Sequence, residues 1–236
     1  MDTQRSPNRD SLDVAREASR NGDHALALQN YQYFFEHALD GDSASLYGVR
    51  LSYCLAEWAK LGRMYLPAHE ALEERRVEAL RRLESTREPE NFHDYEAISR
   101  YLDVHDDAVR QFLHYHRSDR DLASSIMRFV WTLLVSAGAW EVCYAYLGDA
   151  GQRYSKALAK FDEAIQICRE NPDFGGAEFE QQIHGWYVRD VGELVLVLKN
   201  NGRIEDAKTF HAQAERDIEL RGYPELSNRI SSEIAL

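Results

Sequence analysis

The sequence has 236 residues, of which 44% are hydrophobic and 29% are charged. This length suits one or two domains, and this composition lies outside the range of chains that stay disordered. Forty acidic against 28 basic residues give a formal net charge of −12, which repels phosphate backbones and anionic lipid surfaces. We therefore expect no nucleic acid and no membrane among its partners.

The chain shows a regular spacing of apolar residues. They recur three and four positions apart, and no alternating strand pattern occurs. The five prolines fall near joints between the periodic segments. The sequence therefore predicts an all-α fold with about a dozen helices. In chain order we expect them near residues 10–20, 23–39, 43–61, 65–85, 91–102, 105–117, 119–136, 139–147, 152–170, 178–200, 203–220 and 224–235.

One apolar stretch, from Phe129 to Leu147, approaches the length of a membrane-spanning helix. However, Glu141 lies within it, the run from Ser136 to Gly138 is typical of a helix break, and no cluster of Lys or Arg flanks it. The stretch is therefore predicted to form two buried helices.

A pattern of turn and helix residues repeats along the chain. A turn residue is followed five positions later by a small residue, and then by residues that fill the gap one and two helical turns further on. After Gly202 these positions hold Ala207, His211 and Ala214. The same order, with small deviations, follows five other turn positions: Gly22, Gly62, Asp103, Gly138 and Gln152.

This pattern, from about Asp10 to Arg221, resembles the second half of the repeats in the tetratricopeptide-repeat (TPR) family. The resemblance implies an α-α superhelix of five to six irregular TPR-like helical hairpins. Turn positions 22, 62, 103 and 138 are 40, 41 and 35 residues apart, which is longer than the family's period and predicts longer helices.

The same resemblance suggests how the chain is divided. We expect a flexible N-terminus over residues 1–9, one TPR-like domain over residues 10–222, and a C-terminal capping helix over residues 223–236. Terminal repeats must cover an exposed apolar face, and three residues of the last helix have the spacing to do so: Leu226, Ile230 and Ile234.

In TPR proteins the first helix of each hairpin lines a concave groove that holds a peptide or partner helix, and the resemblance implies the same here. Alignment from the turns places nine residues on that face, most of them basic. A basic groove would favour an acidic peptide or a carboxylate terminus. The groove candidates are Arg16, Arg50, Tyr53, His93, Arg100, Arg128, Thr132, Arg189 and Lys199.

The middle of the chain, residues 91–121, is rich in His and Asp. The pairs His93-Asp94 and His105-Asp106 are similar to the His-Asp pair of helical metal-dependent phosphohydrolases. Those enzymes also need a further histidine and a distant aspartate at the same metal. Acidic residues at the start of a helix can instead simply complement the helix dipole. No phosphate-binding loop, dinucleotide fingerprint or nucleophile elbow occurs in the sequence.

The spacing of the cysteines indicates in which cellular compartment the protein is expected. Cys54, Cys143 and Cys168 are far apart in apolar helical surroundings, a pattern typical of reduced, cytoplasmic proteins. The first ten residues lack the apolar core of a signal peptide. We therefore expect a cytoplasmic location.

The sequence favours a non-enzymatic scaffold that binds a protein or peptide, with no cofactor, no catalytic residue and no metal ligand assigned. A metal-dependent hydrolase centred on the His/Asp-rich middle is the alternative. Self-association through an exposed helix face is a third possibility, and the oligomeric state stays open.

Overall fold

The computed structural model describes residues 7–40, 46–171 and 176–234. These residues form helices and no strand, which confirms the all-α prediction for the part of the chain that they cover. The helices are α1 (Pro7–Arg20), α2 (His24–His37), α3 (Tyr47–Val49), a π-helical turn (Arg50–Cys54), α4 (Leu55–Gly62), α5 (Leu66–Thr86), α6 (Pro89–Tyr101), α7 (Asp106–Ser118), α8 (Arg120–Ser136), α9 (Trp140–Ala145), α10 (Ala150–Glu170), α11 (Gly176–Asn200), α12 (Ile204–Leu220) and α13 (Pro224–Glu233).

Helix ends lie within three residues of the predicted positions wherever the structure describes them. Residues 1–6, and residues 43–45 and 235 of two predicted helices, lie outside the described part of the chain. At the N-terminus, α1 begins at Pro7, three residues before the predicted start of the first helix. A proline is well tolerated there because the first helical N–H groups have no intrahelical partner.

The packing divides the chain into two compact units, Met1–Val130 and Trp131–Leu236, where the sequence suggested one continuous domain over residues 10–222. The boundary falls within α8. Buried side chains of α8 belong to both units, with Ile126 in the first and Leu134 in the second.

In the first unit, α1 packs against α2, and α5 packs against both α4 and α6. The indole of Trp58 on α4 is fully buried, and its Nε1 donates a hydrogen bond of 2.9 Å to the carbonyl oxygen of Ala68 on α5. The ring of Phe35 on α2 packs edge-on against Trp58, with ring centroids 6.1 Å apart. Trp58 therefore links three helices of this core.

In the second unit, α11 is the central helix and packs against α9, α10, α12 and α13. The C-terminal helix α13 packs against α11 and α12, and three side chains there are buried: Leu226 and Ile230 of α13, and Ile234 directly after it. These are the residues that the sequence predicted to cover an apolar face.

Four of the predicted turn residues adopt the left-handed conformation that ends a helix. Their φ angles are +80° at Gly22, +59° at Asp103, +71° at Gly138 and +77° at Gly202. Glycine adopts this conformation freely, and aspartate tolerates it better than most residues. The small residue five positions after each turn is fully buried: Ala27, Ala108, Cys143 and Ala207. These four hairpins therefore have the geometry that the pattern predicts.

The other two turn positions differ from the prediction. Gly62 is the last residue of α4, and a side-chain carbon there would lie 3.2 Å from Cα of His69, so glycine allows α4 and α5 to approach closely. Gln152 lies inside α10, where its N–H donates a hydrogen bond of 2.7 Å to Asp149, the helix cap. The left-handed residue before α10 is Gly148, so the turn predicted at Gln152 is corrected.

The apolar stretch from Phe129 to Leu147 is divided between α8 and α9, with the break at Gly138, as predicted. Among the residues described, none of the helices combines the length and apolar character needed to cross a membrane.

Replacing Ala207 with leucine tests the packing of α12 on α11. Ala207 is fully buried, so the added carbons should overpack the hairpin and lower the free energy of unfolding by roughly 1–3 kcal/mol. Ala212, exposed on the same helix, provides the matched control, and Ala212→Leu should change it by less than about 0.5 kcal/mol. Urea unfolding would measure both. Equal stability of the two variants would show that α12 presents a different face to α11.

Candidate functional site

Helix α6 of the first unit brings together three of the predicted groove residues. His93 lies on α6 itself, Arg50 comes from the π-helical turn, and Arg128 comes from α8. Glu90, His93 and Asp94 are three and four residues apart, so their side chains lie on one face of α6. We call this face, with the side chains that contact it, the α6 surface.

His93 lies between two aromatic side chains. Its Nδ1 is 2.7 Å from the hydroxyl oxygen of Tyr47, and its imidazole stacks on the ring of Phe129 with centroids 4.4 Å apart. Burial lowers the pKa of His93 below its ordinary value; Asp94 opposes this shift and nearby guanidinium groups reinforce it. The lowered pKa favours the neutral imidazole, whose Nδ1 accepts a hydrogen bond from the Tyr47 hydroxyl in the tautomer that carries its proton on Nε2.

Arg50 and Asp94 form an ion pair that is almost buried, with side chains 10% and 18% exposed. Two nitrogens of Arg50 donate to the two oxygens of Asp94 over 2.6 and 2.5 Å. The Nε of Arg50 donates to the carbonyl oxygen of Phe35 over 2.7 Å, and the guanidinium lies over the Phe35 ring. Desolvation offsets much of the attraction in such a pair, so its main effect is to fix α6 against the π-helical turn.

The π-helical turn sets which way its side chains point. Such turns are rare, and they occur frequently at functional sites. Within it, Arg50, Leu51 and Cys54 are buried, while Tyr53 is 64% exposed. The turn therefore holds one groove candidate inside the unit and presents another to solvent.

Arg128 supplies the exposed side of the α6 surface. Its side chain is 61% exposed, donates to Glu90 over 2.6 Å, and lies over the ring of Phe129 at 4.5 Å from the centroid. Exposed ion pairs contribute little stability and exchange partners readily. His93 is thus near one fixed pair, Arg50 with Asp94, and one exchangeable pair, Arg128 with Glu90.

The other groove candidates of the first unit are Arg16, Arg100 and Tyr53, of which Arg100 is near enough to His93 for its charge to lower the imidazole pKa. Arg16 on α1 pairs with Glu57 of α4, whose carboxylate oxygen is 2.9 Å from its Nε. Arg100, near the end of α6, is 53% exposed and lies 3.8 Å from a carboxylate oxygen of Glu96. Tyr53 is exposed, as described above.

Three candidates belong to the second unit: Thr132, Arg189 and Lys199. Thr132 hydrogen-bonds the carboxyl group of Glu193, whose pKa is raised by burial. The guanidinium of Arg189 is 3.1 Å from Asp190, and Lys199 lies in the last turn of α11.

The charge of the predicted groove is more balanced than the sequence suggested. Each of its arginines has a carboxylate within 4 Å: Glu57 for Arg16, Asp94 for Arg50, Glu96 for Arg100, Glu90 for Arg128 and Asp190 for Arg189. None of these carboxylates was predicted as a groove residue, nor were Tyr47 and Phe129; Asp94 entered the sequence analysis only in the metal-dependent alternative. The sequence did contain a signal for two of the carboxylates: Glu90 lies three positions before His93 and Asp94 lies next to it, so a helix places them near His93.

The two His-Asp pairs of the middle segment have different surroundings. Asp94 is bound by Arg50, so a metal ion at Asp94 would compete with a guanidinium. His105 is 56% exposed and lies 3.6 Å from Asp106, its neighbour in the chain. Over residues 7–40, 46–171 and 176–234, no three His, Cys, Asp or Glu side chains are grouped so that they could hold a metal ion.

Comparison with known proteins leaves the family open. No protein-family model matches the chain, and neither the curated proteins nor the solved structures include a significant match. The resemblance to the TPR family therefore stays a prediction from the hairpin pattern.

Replacing Asp94 with asparagine would leave Arg50 nearly buried without its counter-charge. We expect the free energy of unfolding to fall by roughly 3–5 kcal/mol, because an unpaired buried charge is strongly destabilising. Glu90→Gln, also on α6, breaks the exposed pair with Arg128 of α8. It should lower the free energy of unfolding by less than about 1 kcal/mol. Urea unfolding of both variants measures the difference. Similar losses would mean that water solvates the Arg50–Asp94 pair.

Replacing Tyr47 with phenylalanine tests the environment of His93. The wild-type pKa should lie below 6.5, and it should rise in Tyr47→Phe if the lost hydroxyl had donated to the neutral ring. NMR titration of the imidazole, assigned with His93→Gln, measures it, and Tyr53→Phe is the exposed control. A fall would show that Nδ1 carries the proton.

The same shift has a consequence for stability. Because the folded-state pKa of His93 is lowered, the unfolded chain binds the proton first, and stability is lost as pH falls from 6.5 toward the folded-state pKa. His93→Gln should therefore lose less stability than wild type over that acid interval.

Proposed function

We propose that this protein is a non-enzymatic scaffold that binds a segment of a partner protein on the α6 surface. The observation that carries the proposal is the convergence of Arg50, His93 and Arg128 from three different helical segments. Side chains held on helices and locked by neighbours form a preorganised site, which lowers the entropy lost on binding.

The partner's chemistry follows from the charges and rings of the surface. Arg100 and Arg128 are more than half exposed, and each could exchange its weak surface pair for a carboxylate of the partner. The half-buried ring of Phe129 offers an aromatic contact. An acidic peptide segment with an apolar side chain has these features.

The balanced charge adds a further requirement for the partner. A carboxylate that takes Arg128 would leave Glu90 without its counter-charge. A basic residue in the partner, next to the acidic one, would pair with Glu90. The partner segment is therefore acidic with at least one basic residue, rather than uniformly negative.

The fixed pair near His93 supports a binding role. Burying Arg50 and Asp94 costs desolvation energy, and a π-helical turn departs from regular helix geometry, yet both occur at this surface. Deviations of this kind tend to be found at functional positions. The hydrolase alternative has less support, because Asp94 is held by Arg50 rather than free for a metal.

We further propose a TPR-like superhelix and a cytoplasmic location. The hairpins would stack as a TPR-like α-α superhelix of five to six repeats, and the four left-handed turns, each followed by a buried small residue, support this. A cytoplasmic location is supported by three cysteines that form no disulfide.

A charge exchange across the α6 surface tests the proposal. Arg128→Glu would place a second carboxylate opposite Glu90, whereas Glu90→Arg combined with Arg128→Glu restores an ion pair of opposite polarity. Arg117→Glu, at an exposed position on α7, is the matched control. Each variant and the wild type would be used for affinity capture from a lysate of the source organism, with bound proteins identified by mass spectrometry.

We expect a partner that is retained by wild type and Arg117→Glu and lost from both variants at position 128. Loss from the single variant alone would point to repulsion within the protein rather than to partner contact. An identical set of captured proteins for all four samples would contradict binding at the α6 surface.

A further inference from the structure

The Arg50–Asp94 pair also lines a cavity of about 300 Å³ in the first unit. Helices α2, α5 and α6 and the π-helical turn supply its walls, including the apolar side chains of Phe35 and Ala79. This volume is at the lower end for ligand sites and suits one small molecule rather than a peptide.

Six charged side chains line the cavity, and they form three ion pairs. Besides Arg50 with Asp94, Arg75 contacts Glu36, and the Nε of Arg82 is 3.0 Å from a carboxylate oxygen of Glu78. Three guanidinium groups and three carboxylates leave the lining without net charge. Few cavities of this size contain so many charges, so its ligand should also be charged.

Two of the arginines are placed to act together. Arg75 and Arg82 are seven residues apart on α5, which is about two helical turns, so they lie on the same side of the helix. Burial lowers the pKa of Arg75, and the nearby charge of Arg82 lowers it further, whereas Glu78 opposes both. A negative group between the two arginines would therefore be stabilised.

The pairing decides which ligand fits. A simple anion that takes Arg75 from Glu36, or Arg82 from Glu78, would leave that carboxylate with only a more distant basic neighbour, His37 at 4.0 Å or Arg81 at 3.9 Å. A simple cation would leave an arginine unpaired for the same reason. A ligand that carries both charges can exchange partners with an existing pair and leave no charge uncompensated.

We propose that this cavity binds a small zwitterion of the α-amino-acid class. Its carboxylate lies against Arg75 and Arg82, whose planar forks match carboxylate geometry, and its ammonium group lies against Glu36 and Glu78. An uncharged side chain on the ligand packs on Phe35 and Ala79. Binding of this ligand does not depend on a partner protein at the α6 surface.

The test uses the full-length protein and a panel of neutral L-amino acids: leucine, methionine, phenylalanine and glutamine. Binding is followed by isothermal titration calorimetry and by NMR shifts up to about 10 mM ligand. The best binder is compared with its amide, which lacks the carboxylate, and with its N-acetyl form, which lacks the ammonium group. We expect both derivatives to bind at least about ten-fold more weakly.

Variants locate the site. Arg75→Gln and Glu36→Gln should each weaken binding at least about ten-fold, whereas Arg117→Gln, at an exposed position on α7 outside the cavity, should not. The double variant Arg75→Gln/Glu36→Gln keeps the lining neutral, so it should fold even if the single variants do not, and it should not bind.

Several outcomes would overturn the inference. These are no binding by any member of the panel, equal binding of the N-acetyl form, which would indicate an anion site, or unchanged binding in the double variant. The capture experiment with the variants at positions 90 and 128 is separate, so failure of one proposal leaves the other standing.

Discussion

The ion pair between Arg50 and Asp94 connects the two surfaces proposed to bind ligands. It joins the π-helical turn to α6, Asp94 directly follows His93 in the chain, and both members of the pair line the cavity. Tyr47, which contacts His93, is one helical turn before Arg50. Because two nitrogens of Arg50 and both oxygens of Asp94 are engaged, a shift of α6 would disturb the α6 surface and the cavity together.

In the first unit, apolar side chains supply most of the stability, and the Arg50–Asp94 ion pair supplies specificity. Apolar burial around Trp58 and Phe35 supplies the driving force for packing, since it removes large side chains from water. The charged pair adds little net stability but admits only one arrangement of its partners. Placing that pair at the edge of the apolar core fixes the position of α6 while leaving exchangeable groups such as Arg128 at the surface.

Much of the fold could be predicted from the sequence, and the reason is local. Helical periodicity and left-handed residues such as Gly22 and Gly202 depend only on residues a few positions away, so they can be recognised in the sequence alone. The turn before α10 was misplaced because Asp149 caps a helix that begins earlier than Gln152. The site was predicted only in part. Alignment of the hairpin turns identified Arg50, His93 and Arg128, but the pairing of each arginine with a carboxylate depends on how the helices cross, which the sequence does not reveal. The π-helical turn changes the register without leaving a distinct pattern of residue types.

The π-helical turn separates two registers within one helical stretch. Downstream of it, Leu55 and Trp58 are buried in the core, whereas Tyr47, which precedes the turn, and Arg50, its first residue, contact α6. A π-turn holds one residue more than an α-turn, so losing a single residue between Leu51 and Cys54 would restore regular helix. Because the π-turn already absorbs that extra residue, Tyr47 and Arg50 would then keep their direction relative to the buried Trp58, whereas a regular α-helix through all five residues would rotate them by about 100°. At the present chain length, the π-helical turn is therefore what keeps Arg50 against Asp94 while Trp58 faces the core.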